Sequence, residues 1–188
     1  LGSNKAPNNR EEQSKTFLSE EEYKNGVNLL KLASVLQFTL PGVPSVYYGD
    51  EAGLTGYGDP FCRAGYPWGR ENTELLDHYK MLGKFRKENK AFVSGEFLPV
   101  IADDSIIGFI RKNDKNKVFV AVNRGFSERE IKLPEIFGNK TVTVKPFDFV
   151  LVEGTSFSGE GTVIELDMNV LIAKNLGIPT IIVGSGVG

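Results

Sequence analysis

The chain has 188 residues, of which 40% are hydrophobic and 11% aromatic, and 22 Lys and Arg against 24 Asp and Glu give a formal net charge of −2. That hydrophobic share excludes a disordered chain, and the length holds one ordinary domain or two small ones. The near-neutral balance gives no electrostatic ground for nucleic acid or an anionic membrane as partner, and apolar runs such as Ile178–Val183 are too short to span a bilayer.

No signal-peptide or lipidation motif stands at Leu1, which is not an initiator Met and so excludes no leader. Cys62 is the single cysteine and gives no oxidising-compartment signal; the compartment stays open, leaning to the cytoplasm. Residues 1–15, rich in Gly, Ser, Asn and Pro, read as a loop. Ser19 and Glu22 have capping-box spacing, so a helix is expected from about Glu20 to the Pro41-Gly42 break. Its second half carries Val27, Leu29, Leu30, Leu32, Ala33, Val35, Leu36, Phe38 and Leu40 on nearly every face and is expected to be buried. Pro44–Tyr48 reads as a short strand, and residues 50–70 as a long functional loop. A second helix, capped by Asn72 or Thr73, aligns Leu75, Tyr79, Leu82 and Phe85 on one face.

After Lys90 the pattern turns to short strands: Phe92–Ile101, Ile106–Arg111, Val118–Asn123, Arg129–Leu133 and Thr141–Val144, with a hairpin turn at Asn113–Asn116. This spacing argues for a small antiparallel sandwich. The last part changes again. Phe149–Val152 reads as a strand, 154–161 as a loop, Val170–Leu176 as a helix and Pro179–Val183 as a strand, a βαβ pattern.

Leu40-Pro-Gly-Val-Pro-Ser-Val-Tyr-Tyr-Gly-Asp-Glu-Ala-Gly53 resembles the eighth strand of the (β/α)8 barrel in the α-amylase family. Gly58-Asp-Pro-Phe-Cys-Arg63 and Tyr66-Pro-Trp68 look most like its neopullulanase, cyclomaltodextrinase and maltogenic-amylase branch. The resemblance implies a mixed fold: residues 1–90 as the distal part of the barrel and 91–146 as a C-terminal β-sandwich. It also implies a parent that hydrolyses α-glucosidic bonds in maltodextrin, cyclodextrin or pullulan with retention.

A retaining glycosidase sets a carboxylate nucleophile and an acid/base about 5 Å apart across the bond. In this family those groups, and a third Asp in a Ser-His-Asp-Thr-type motif, precede the eighth strand, so the motif is expected just before Leu1. The expectation is a fragment with no catalytic residue, inactive alone. Asp50-Glu51, at a strand's carboxyl end, reads as wall and scaffold rather than as a catalytic pair. The resemblance assigns Asp59 and Arg63 to substrate binding, on glucose hydroxyls of an α-glucan partner; their plain alternative is a local salt bridge. Trp68, Tyr57 and Tyr66 read as packing before sugar stacking. His78 reads as a half-exposed surface residue and Cys62 as a small buried filler. Nothing in the sequence asks for a metal or another cofactor, and the oligomeric state is left open.

Asp148-Phe-Val-Leu-Val-Glu-Gly-Thr155 and the run from Asp167 to Val183 resemble the amino-terminal α/β domain of long phosphate acetyltransferases, so residues 147–188 are expected to be a foreign fragment of a chimera. No phosphate loop accompanies the pattern. Residues 145–152 fit equally as the closing strand of the sandwich or the first strand of the α/β unit. Two rival functions follow: a non-catalytic carbohydrate-binding or structural β module, and an acetyltransferase-related α/β protein. With most of a barrel lacking, Val46 and the apolar helix are expected to be left without partners, making the isolated chain poorly soluble.

Overall fold

The computed structural model of the chain describes residue 7 and residues 9–155. The helix and strand expected within 156–188 lie outside the described residues.

The segment 10–15, expected as loop, is a short helix, α1 (Arg10–Lys15). Asn9 caps it by accepting from the Glu12 N–H at 2.9 Å, Glu11 and Glu12 sit in its first turn, and Lys15 pairs with Glu11 at 2.6 Å. The next helix, α2 (Glu20–Thr39), starts where the sequence places it: Ser19 and Glu22 form the complete capping box. α3 (Thr73–Glu88) is capped by Asn72, whose Oδ1 accepts from the Leu75 N–H at 3.1 Å.

The expected strand Phe92–Ile101 divides in two. Its first part is the single-turn helix α4 (Ala91–Ser94), and the strand β1 covers only Glu96–Ala102. The turn is drawn in from both sides. Asn89, buried, accepts the Phe92 N–H on its carbonyl, and the Gly95 N–H closes on the Ala91 carbonyl at 3.0 Å. Gly95 has no room for a side chain, since a Cβ there would meet the Lys112 carbonyl.

Five more strands follow: β2 (Ile106–Lys112), β3 (Asn116–Asn123), β4 (Arg129–Lys132), β5 (Thr141–Val144) and β6 (Asp148–Thr155). β1, β2, β3 and β6 form one antiparallel sheet in that order, and β4 and β5 form a second. Asn113 closes the β2–β3 turn, its side-chain oxygen accepting from the Lys115 and Asn116 N–H groups at 2.9 and 2.7 Å. β6 pairs with β3 along its whole length, from Asn116 opposite Thr155 to Asn123 opposite Asp148. Of the two roles open to Phe149–Val152, the structure shows the closing strand of the antiparallel sheet, beyond the boundary expected at residue 146.

Alternation along the central strands sends side chains to two cores. Ile106, Ile110, Phe119, Ala121 and Val152 meet Ile131, Leu133, Phe137, Val142 and Val144 of the β4–β5 layer. On the other face Phe109, Val118, Val120, Val122 and Phe149 meet Leu32 and Val35 of α2, Leu82 of α3, and Phe92. α2 therefore has partners, against the expectation that it would be left without them, and it is not buried all round. Val27, Leu32 and Val35 are buried, whereas Leu29, Leu30, Leu36 and Phe38 are half-buried.

A single guanidinium joins the helical layer to the sheet. Arg111 is 1% exposed. Its nitrogens donate to the carbonyls of Thr39 (2.8 Å), Gly95 (3.1 Å), Phe92 (3.3 Å) and Glu96 (3.3 Å). Arg86 adds a bond of 2.6 Å to the Phe38 carbonyl and another to Gly42. Together the two arginines satisfy carbonyls that the end of α2 leaves without helical partners.

Pro44–Tyr48 makes no ladder among the described residues and is irregular chain leading into a turn at Tyr48 rather than strand. A ladder forms only where a neighbouring strand is offered. Here the chain is held by side chains instead, Gln37 donating to the Ser45 carbonyl and Arg86 to Gly42. Val43, Val46, Tyr47 and Tyr48 stay exposed.

Candidate functional site

The segment from Tyr48 to Asn72 is a loop closed at its base. Gly49 and Gly53 have φ of +90° and +72°, the left-handed region open to glycine, and the turn between them is fixed by Ala52 N–H to Gly49 O at 3.1 Å and Leu54 N–H to Gly49 O at 2.9 Å. The Asn72 N–H then returns to the Ala52 carbonyl at 2.9 Å. Tyr23 of α2 locks this closure, donating to the Gly53 carbonyl at 3.3 Å and accepting from Asn72 Nδ2 at 3.1 Å. A Cβ on Gly53 would strike that hydroxyl.

Asp50 and Glu51 sit inside the turn. The Glu51 carboxylate accepts from the Gly49 N–H at 3.0 Å, a bond that holds the turn's own shape. Burial, and then the Glu51 charge, raise the Asp50 carboxyl above the ordinary carboxylate range. Two neighbouring side chains of one turn, one of them bound to that turn, are poorly placed to flank a glycosidic bond.

Asp59 and Arg63 come together further out. Phe61–Arg63 is a turn of 3-10 helix, and across it Asp59 Oδ1 meets Arg63 Nε at 2.7 Å with both side chains exposed. An exposed pair of this kind contributes only about 0–1 kcal/mol and is easily rearranged. With both side chains exposed, the pair has solvent-facing surface that another hydrogen-bonding group could reach. Cys62, between the pair, is half-buried rather than the buried filler expected.

Two residues that the sequence reading passed over brace this loop. Tyr48 donates to the Ala64 carbonyl at 3.0 Å, and Tyr47 reaches the Cys62 carbonyl at 3.5 Å. The signal was the Tyr-Tyr pair ending a strand-like run, whose polar tips need acceptors. Trp68 is 80% exposed, against the packing role expected of it, and its ring lies 4.5 Å from that of Tyr66. Tyr57 is half-buried, with its hydroxyl buried and unpaired among the described residues.

His78 is not a surface residue. It is buried between α2, α3 and β6, with Nε2 at 2.8 Å from the Ser34 hydroxyl and its ring edge-on to Tyr79 and Phe149. The Ser34 hydroxyl donates to the Lys31 carbonyl at 2.8 Å, so it has only lone pairs left for the imidazole, which donates from Nε2. Burial, and then the Lys31 charge, push the imidazole down to about 4. The described residues contain no group of three or more His, Cys, Asp and Glu side chains able to hold a metal ion, and no helix long and apolar enough to cross a membrane.

No protein-family model matches the chain. It is 38% identical over 112 residues to an amylopullulanase of Thermoanaerobacter thermohydrosulfuricus, covering 60% of this chain and 7% of the relative. To a cyclomaltodextrinase of Thermoanaerobacter pseudethanolicus it is 35% identical over 115 residues, covering 60% and 20%. Among solved structures, the cyclic α-maltosyl-(1→6)-maltose hydrolase of Arthrobacter globiformis superposes with a TM-score of 0.64 at 31% identity, over 72% of this chain and 31% of that one. That hydrolase is also known in complex with cyclic α-maltosyl-(1→6)-maltose and with maltose. The homologues of this chain are thus amylopullulanase, cyclomaltodextrinase and maltogenic amylase, and its structural neighbours are α-amylase-family enzymes. The chain spans about a fifth or less of the length of these curated relatives.

Proposed function

We propose that this chain is the part of a retaining α-glucan hydrolase that contributes sugar contacts and a C-terminal β domain but no catalytic carboxylate. Residues 1–90 are then the closing portion of a (β/α)8 barrel. The order of α2, a long irregular connection and α3 supports this, as does the exposed side of Val43–Tyr48, where further barrel strands would pack. The substrates would be maltodextrin-, cyclodextrin- or pullulan-type glucans, the classes in the relatives' names.

The observation that carries the reading is the Asp59–Arg63 pair, held on a braced loop with both side chains exposed. A carboxylate and a guanidinium fork grip vicinal hydroxyls through charge-assisted hydrogen bonds, each contributing about 1.5–3 kcal/mol. Calorimetric titration with maltoheptaose is therefore expected to give binding that Asp59→Ala and Arg63→Ala each weaken about tenfold or more. Their thermal unfolding is expected to match the parent, because the pair is exposed. Undiminished binding in both variants would refute the assignment. Release of reducing sugar from maltodextrin, lost on replacing one acidic residue of this chain, would refute the non-catalytic role.

The β domain extends at least to Thr155 in this reading, and any acetyltransferase-like segment is left with residues beyond it. Removing 156–188 is expected to leave the unfolding midpoint unchanged. Removing 147–188 takes away β6, with Phe149, Val150 and Val152 from the cores, and is expected to abolish cooperative unfolding. Equal behaviour of the two shortened chains would restore the earlier boundary.

A further inference from the structure

We propose that the turn Tyr66–Arg70 is a stacking platform for an α-glucan chain, with the Trp68 indole as its face; this rests on the sugar-binding reading of the same loop. Trp68 is the only tryptophan of the chain and is 80% exposed. It is held in the open by the backbone. The Trp68 N–H bonds the Tyr66 carbonyl at 2.9 Å around Pro67, the Arg70 N–H bonds the Pro67 carbonyl at 2.9 Å, and Gly69 takes a φ of +74°. The Tyr66 ring supports the indole at 4.5 Å with a 48° tilt.

That support is itself anchored. Burial, and then the Glu51 charge, raise the Tyr66 phenol above its ordinary value, and the Glu51 carboxylate takes the Gly49 N–H at 3.0 Å. The Tyr48 hydroxyl holds the Ala64 carbonyl, between Arg63 and Tyr66, at 3.0 Å. The indole and the Asp59–Arg63 pair thus ride on one braced loop. Pro67 and Arg70 of the same turn also line an open concavity with Phe17, Tyr23, Leu54 and Thr55.

A solvent-facing ring on the same loop as an exposed carboxylate and guanidinium suits a ligand with an apolar face and a hydroxyl rim. A glucose unit has that shape: its C–H groups meet the ring while its hydroxyls turn toward charged partners. Being held without ligand, the indole loses little freedom on binding.

The single tryptophan makes the test direct. Emission of the full chain is followed during titration with maltoheptaose, with cellohexaose as control, and calorimetry is run in parallel. A blue shift with protection from acrylamide quenching is expected for maltoheptaose only. Trp68→Ala is expected to weaken calorimetric binding about tenfold and Trp68→Phe distinctly less. Maltoheptaose binding with no emission change and full affinity in Trp68→Ala would overturn the platform and leave the Asp59–Arg63 reading standing. Calorimetric affinity lost in Trp68→Ala but kept in full in Asp59→Ala and Arg63→Ala would uphold the platform and overturn that reading. No response to maltoheptaose by either measurement would overturn both.

Discussion

Replacing Arg111 by Ala is expected to lower the unfolding free energy by about 4 kcal/mol, and the melting temperature by about 12 °C. The guanidinium is fully enclosed and its partners are carbonyls of four backbone positions, Thr39, Phe92, Gly95 and Glu96. Truncation leaves those carbonyls without donors in a region water enters poorly, and leaves the volume of the side chain empty. No carboxylate pairs with Arg111 among the described residues, so the loss comes from unmet carbonyls rather than from a broken ion pair. Arg111→Lys keeps the charge but not the fork, and is expected to recover less than half. Urea unfolding followed by circular dichroism measures both. A loss below about 1 kcal/mol in Arg111→Ala would show that the carbonyls find other donors.

Acid is expected to weaken the fold through His78 well before most carboxylates titrate. The imidazole titrates near 4 in the folded chain against 6.5 ordinarily. Above pH 6.5 it is neutral in both states and contributes no pH dependence. Between 6.5 and about 4 the unfolded chain takes up a proton that the folded one refuses, so stability falls as the pH falls. The loss reaches up to about 3 kcal/mol at the lower end of that window. Asp50 and Glu153 oppose it, because burial raises both and their contribution therefore grows as the pH falls; both are partly exposed and the effect is correspondingly small. His78 is the only histidine, so His78→Gln is expected to flatten the slope of unfolding free energy between pH 6.5 and 4. If the parent and His78→Gln share one slope, the imidazole is not the group responsible.

What could be read from the sequence was what neighbours in sequence decide. Ser19 with Glu22, Asn72 before an apolar stripe, and Asn113 between two alternating runs each carry their own hydrogen-bond partners, and the structure forms them where expected. Features set by distant partners were hidden. His78 is buried because Ser34 lies 44 positions away, and nothing around Asp77 or Tyr79 records that. Ala91–Ser94 has strand-like residues, yet it winds because Asn89 and Arg111 take its backbone groups. Phe149–Val152 suits a parallel or an antiparallel sheet equally, and only β3 decides. Arg111 left a readable trace: in β2 it falls on the same side as Phe109, a charge at a core position. In the loop, the meeting of Asp59 and Arg63 was legible as one of two alternatives, and the structure places them in contact. The exposure of Trp68 was not legible, because a Pro-Trp-Gly turn can face inward or outward.

The end strand of the larger sheet bears on how copies of this molecule keep apart. β1 presents Phe97, Leu98 and Val100 to solvent, an inviting template for another chain to extend. Midway, however, Pro99 has no N–H to offer, and the register slips between Pro99 and Ile101. An incoming strand would lose its alignment after a few residues, so growth from this rim stalls despite its greasy surface.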